Sequence, residues 1–211
     1  MCDVITLQHI MWCVWGVGVW GLHFFGIQLF KKLQFHQSIY EDSPQAHQQK
    51  QGTLTMGGVF IGVSFFSAFF LVGVHNFSHA WVLFVTGLFF LIGFIDDSLG
   101  LIRKTNKGMS ARAKFVLQVV CAGFMVGLYH YGIDTVTGVE GLLYIFLLVG
   151  TSNACNLTDG VDGLLSSTMI VSLIGVGVLC GQLGRYDMIP FLWVMGIVLC
   201  VFLCFNWRPA S

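Results

Sequence analysis

Charge is what this sequence has least of. Only 9% of its 211 residues are charged, the ten acidic and ten basic side chains cancel to a formal net charge of zero, and proline occurs three times. That balance excludes the basic surface that holds nucleic acid. So little charge, beside 56% hydrophobic residues, 20 phenylalanines and a mean hydropathy of +0.81, also excludes an ordinary soluble globular domain. The seven cysteines are odd in number, fall almost wholly within apolar runs and lack paired metal-ligand spacing. They read as small apolar residues. No internal repeat or low-complexity linker divides the chain, so one membrane domain is expected.

What the chain does have is long apolar runs. A bilayer is crossed by about 20 apolar residues in a helix. Seven windows qualify, near Ile10 to Phe30, Gly57 to His75, Ala80 to Ile95, Phe115 to Tyr131, Gly141 to Leu157, Leu164 to Gly184 and Met188 to Asn206. They are continuously apolar, without the alternation of a lipid-facing strand, so the expected fold is an all-α polytopic membrane bundle of about seven transmembrane helices. With alternate loops on opposite sides, nine of the ten basic residues share one side and Arg185 stands on the other. The positive-inside rule makes the first side cytoplasmic and puts the N-terminus outside. A cleaved signal peptide is the other reading of the first run, but the run lacks a basic n-region and continues for about 20 residues, which favours a retained span.

The chemically dense loops, Lys31 to Met56, Asp96 to Lys114 and Asn156 to Gly163, then all face the cytoplasm. In the first, Lys50-Gln51-Gly52-Thr53-Leu54-Thr55-Met56-Gly57-Gly58 offers backbone N–H groups, hydroxyls and one point charge to a phosphate or nucleobase. It is no P-loop, because no Gly-Lys-Ser/Thr opens a helix after a strand. Its plainer alternative is a flexible turn whose glycines ease helix packing.

The second segment pairs Asp96 with Asp97 directly after the run Ala80 to Ile95. Adjacent carboxylates repel and resist dehydration, so a cation, a phosphate-handling role or open water must compensate. The 16-residue run spans about 24 Å, short against a core of about 30 Å, which places the pair below the headgroups. Hard oxygen ligands there suit Mg²⁺. The basic residues from Arg103 to Lys114 attract phosphates or anionic lipid, and as ordinary positive-inside flanks they need no further role.

In the third segment Asn153, Asn156, Asp159 and Asp162 recur every third residue. Each step falls about 60° short of a full helical turn, so all four converge only if the helix unwinds, as Gly160 and Gly163 permit. A polar packing seam accounts for the asparagines but poorly for two carboxylates. Elsewhere, His75 and His79 have i, i+4 metal-site spacing without an evident third ligand and read as interfacial histidines. His23 and His130 are expected to make interhelical hydrogen bonds.

Together and in this order, Lys50 to Gly58, Gly93 to Lys114 and Ser152 to Gly163 resemble the bacterial phospho-N-acetylmuramoyl-pentapeptide transferases, a branch of the polyprenyl-phosphate N-acetylhexosamine-1-phosphate transferases. The first motif and Asn106 to Arg112 favour the muramoyl branch over the N-acetylglucosamine branch. The resemblance implies transfer of phospho-N-acetylmuramoyl-pentapeptide from UDP to undecaprenyl phosphate, with release of UMP and with Mg²⁺ as cofactor. It implies that Asp96 handles the lipid phosphate, as its base, and that Asp97 supports the metal and phosphate environment. Lys50, Thr55, Asn156, Asp162, Gly163 and Leu164 would lie around the uridine diphosphate, with Asp159 nearby. A bacterial inner-membrane enzyme with a cytoplasmic site, and a homodimer, are implied as well.

Two features depart from the pattern. Leu54 stands where a proline is usual, which loosens the loop more than it abolishes it. Asn206 to Ser211 resembles the lead-in to a further cytoplasmic motif, with the aspartate expected to hold Mg²⁺ and a histidine-rich loop beyond it. Little or no activity is therefore expected of the 211 residues by themselves. The rival readings are an N-acetylglucosamine-1-phosphate transferase and a cation channel or transporter lined by Asp96, Asp97, Asp159 and Asp162.

Overall fold

The computed structural model describes residues 2–32, 56–103 and 108–207, so Lys50 and Thr55 lie outside the described residues. Within these, every regular element is helical: α1 (Cys2–Lys32), α2 (Gly57–Ser67), α3 (Phe69–Val72), α4 (Phe77–Arg103), α5 (Ala111–Gly132), α6 (Gly138–Thr158), α7 (Leu164–Gln182), a 3₁₀ turn (Tyr186–Met188) and α8 (Ile189–Asn206). Long apolar runs fold this way because a helix satisfies its own backbone N–H and C=O groups without water. Among the described residues six helices are long and apolar enough to cross a membrane, and the Gly57–Val72 stretch is a shorter apolar one. The protein is a multi-pass, all-α membrane protein.

The second window breaks for a local reason. Ser67 Oγ donates to the Ser64 carbonyl at 2.8 Å and accepts from Trp15 Nε1 at 3.0 Å. The Ala68 N–H then reaches the Ser64 and Phe65 carbonyls only at 3.4 and 3.3 Å. A hydroxyl competing for a carbonyl of the preceding turn bends a helix, and α2 ends there before α3 resumes.

The third window is longer than its apolar run. Helix α4 has 27 residues and carries Asp96 and Asp97 within it, not at its end. The expectation that the span ends at the pair is therefore corrected. Leu99, Leu101 and Ile102 continue the helix beyond the carboxylates, because backbone hydrogen bonding propagates a helix whatever the hydropathy.

The helices group into two compact units. In the first, α1 packs on α8 and α8 on α7. Its core includes Val19, Phe60, Phe65, Ala68, Phe191, Val194 and Val198, and Gly26 lies so close under the Phe60 ring that a Cβ there would clash. His23, wholly buried among Phe60, Phe202 and Phe205, bonds the Val19 carbonyl of its own helix at 2.9 Å. In the second unit, α4 packs on α5 and α5 on α6. Trp81 Nε1 reaches across to the Met125 carbonyl at 2.7 Å, and Phe77 covers Gly132. His130 Nδ1 accepts from the nearby Val136 N–H, and His79 Nδ1 from the His75 N–H. The bonds described for His23 and His130 are thus local, which corrects the expectation of interhelical ones.

Candidate functional site

The polar cluster of the second unit starts from Gly108. Residues 108–110 bring the chain back against α4 so closely that a Cβ on Gly108 would run into the Asp96 carboxylate and backbone carbonyl. Only glycine fits this approach. Arg103 Nη1 donates to the Gly108 carbonyl at 3.0 Å, and the Met109 N–H donates to Asp96 Oδ1 at 2.7 Å. Ser110 then caps α5, its hydroxyl accepting from the Ala113 N–H at 3.2 Å. This supplies one of the orphan donors of the first turn a partner and fixes where α5 begins.

That starting point sets Lys114 one turn into α5. Its Nζ lies 2.6 Å from Asp96 Oδ2 and 3.1 Å from Asn156 Oδ1 on α6. The charged pair is mostly enclosed, with side-chain exposures of 16% for Lys114 and 18% for Asp96. Both Asp96 oxygens are thereby engaged by donors, and one ammonium ties three helices. Because lysine can only donate, the Asn156 carbonyl must face it, and the Nδ2 group of this exposed side chain is turned the other way.

Asp97 differs from its neighbour. It is exposed and its carboxylate makes no hydrogen bond with another described residue. No group of three His, Cys, Asp or Glu side chains able to enclose a metal ion occurs among the described residues. A hard oxygen donor of this kind suits Mg²⁺ in its usual arrangement, where one or two protein carboxylates are supplemented by substrate phosphates and water.

Deeper along α5 and α6 the cluster continues. Asn153 Nδ2 donates to Gln118 Oε1 at 2.8 Å and to the Val149 carbonyl at 2.8 Å, while Gln118 Nε2 donates to Ser152 Oγ at 3.2 Å. Gln118 is 1% exposed.

The third polar segment does unwind, but only in part. Helix α6 is intact through Asn153 and Asn156 and ends at Thr158, with Asp159 as its C-cap. A short turn follows, and Gly163 opens α7 in the left-handed region at φ 73°, where a Cβ would press the Leu203 side chain at 3.3 Å. Asp162, Gly163 and Leu164 belong to the first unit, while Asp96, Asp97, Asn156 and Asp159 belong to the second.

Lys114 and Gln118 are the site residues that the sequence reading missed. Lys114 passes there as an ordinary flanking charge. The available signal was their i, i+4 spacing on an otherwise apolar stretch, matched by Ser152, Asn153 and Asn156 on a second helix.

Comparison with known proteins agrees with this picture. The chain is 39% identical to the phospho-N-acetylmuramoyl-pentapeptide-transferase of Bacillus velezensis, over 88% of this chain and 62% of that protein. It is 40% identical to the one of Anoxybacillus flavithermus and 37% identical to the one of Bacillus subtilis, with the same shares covered. The chain thus spans about 62% of the length of the curated relatives it matches. Residues 78–211, which carry the whole Asp96–Lys114–Asn156 cluster, match the glycosyl transferase family 4 model, and the protein belongs to that family.

Proposed function

We propose that this chain forms the cytoplasmic-face acceptor and donor site of a transferase that moves phospho-N-acetylmuramoyl-pentapeptide from UDP to undecaprenyl phosphate in a bacterial inner membrane. The observation that carries the proposal is the junction at Lys114, where α4, α5 and α6 bring a carboxylate, an ammonium and an amide together beside Asp97. In the reaction, an oxygen of the lipid phosphate becomes bonded to the sugar-bearing phosphorus of the donor. The bond from that phosphorus to the UMP oxygen breaks, and UMP leaves. Such chemistry asks mainly for alignment and charge neutralisation.

The residues divide these tasks. Lys114 attracts the lipid phosphate, and Asp96, released as the phosphate takes over the ammonium, receives the acceptor's proton. Asn156 presents its Nδ2 group to the uridine diphosphate, assisted by Asp159. Mg²⁺, held by Asp97 and substrate phosphate oxygens, would neutralise the pyrophosphate charge when bound. The N-terminus lies outside and the site inside the cell.

The test joins these 211 residues to the remainder of the Bacillus subtilis relative and supplies radiolabelled donor with undecaprenyl phosphate in membranes. Lipid-linked product and UMP are expected from UDP-N-acetylmuramoyl-pentapeptide and not from UDP-N-acetylglucosamine, with little or none from the 211 residues alone. Product from the second donor only would move the protein to the sister branch. A folded chimera that releases no UMP from either donor, yet passes cations in liposomes, would overturn the transferase reading.

A further inference from the structure

Gln118 lies outside the segments assigned above, yet it is the most enclosed polar side chain of the second unit that bonds across helices at both ends of its amide. Its place in the fold is specific. Along α5 it stands one turn beyond Lys114, and along α6 its partners Ser152 and Asn153 stand one turn before Asn156. The two helices are therefore joined by two successive rungs of an antiparallel ladder. The outer rung is Lys114 to Asn156 at 3.1 Å. The inner rung is Gln118 to Ser152 at 3.2 Å and to Asn153 at 2.8 Å.

The rungs differ in what they can fix. Lys114 is long and rotatable, and Asn156 is exposed, so the outer rung tolerates displacement of α6. The apolar contacts around Ala122, Met125 and Val149 are non-directional and tolerate it too. Gln118 does not. A slip of one residue moves α6 by about 1.5 Å and turns it by about 100°, which would leave the buried Gln118 amide without its partners on α6. A single buried amide is known to set the register between packed helices in this way.

We propose that Gln118 is a positioning residue for the transfer reaction: by locking the register of α6 against α5, it holds the Asn156 carbonyl beneath Lys114 and so fixes the direction of the Asn156 amide. This rests on the reaction proposed above. The register itself is independent of it.

Two measurements separate those levels. The first needs no turnover: Val126→Cys and Gly141→Cys, at a point where a Cβ on Gly141 would contact Val126 Cγ1 at 3.6 Å, are oxidised in the 211-residue chain with its native cysteines replaced by alanine. Disulfide formation is expected to slow about tenfold, equal to about 1.4 kcal/mol, on adding Gln118→Met, which keeps length and removes both bonds. The exchange Gln118→Asn with Asn153→Gln should restore it. The second is transfer by the chimera, where Gln118→Met should lower kcat about tenfold at a temperature well below its unfolding transition. Unchanged cross-linking in Gln118→Met would overturn the register role. A loss of kcat that merely follows a lowered melting temperature would overturn the positioning role. Cross-linking that responds as expected in a chimera with no transfer at all would support the register lock and defeat the reaction reading instead.

Discussion

Lys114 Nζ and Asp96 Oδ2 lie 2.6 Å apart, an ion pair between α5 and α4 whose cation also holds Asn156 on α6. A mostly enclosed pair of this kind is costly to break from one side, because the charge left behind has lost its partner. Lys114→Met or Asp96→Asn alone should each lower stability by about 2–3 kcal/mol, somewhat below the range for a fully buried pair. The double variant Lys114→Met with Asp96→Leu should recover most of that in detergent melting curves while transfer by the chimera stays abolished. Recovery of transfer together with stability would show the pair to be only structural.

Asp97→Asn should behave in the opposite way. This exposed carboxylate adds a like charge beside Asp96 and holds no partner among the described residues, so its removal should leave the melting temperature unchanged or raised. Transfer should fall by about a hundredfold, and excess Mg²⁺ should recover part of it if Asp97 is the protein's ligand. A titration of chimera activity against Mg²⁺, run for both forms, reads the outcome directly.

Gly108→Ala introduces a methyl group where Asp96 already sits. Relief requires the loop to back away from α4, which lengthens the Met109 N–H contact to Asp96 and costs about 1–3 kcal/mol. Limited proteolysis should then cut near residue 108 sooner than in the parent chain. An equal cutting rate would mean that the loop moves at no cost.

In the first unit, Trp15→Phe removes the indole donor to Ser67 and should cost about 1 kcal/mol. Ser67→Ala removes the same bond and also the hydroxyl that bends the helix at Ala68. Combined, the two should cost less than their sum, and strict additivity in unfolding measurements would deny the coupling.

Hydropathy made the bundle legible in the chain, and it placed the start of α7 at Leu164 because the apolar run resumes just after a glycine. It failed at α4, where Asp96 to Arg103 lowers the local hydropathy without ending the helix. It failed at Ala68 too, since a bend caused by Ser64, Ser67 and a tryptophan on another helix is a tertiary event. The carboxylates were legible because two adjacent acids beside a membrane span demand an explanation. Lys114 was not, because a basic residue there already had one in the charge bias of membrane proteins. The third segment was read half correctly: Asn153 does lie in a polar seam, and the unwinding is confined to the residues after Thr158. A capping signal went unused, since Thr137 and Glu140 stand at the spacing of the capping box that opens α6.

The one-way chemistry of an ammonium has a consequence for anyone shaping a molecule to fit this face. Since Lys114 dictates which half of the Asn156 side chain is spent, the half left over gives hydrogens and receives none. A ligand head resting there gains from carbonyl, sulfonyl or phosphoryl oxygens, and a compound that offers an amine at the same point meets two N–H groups head-on.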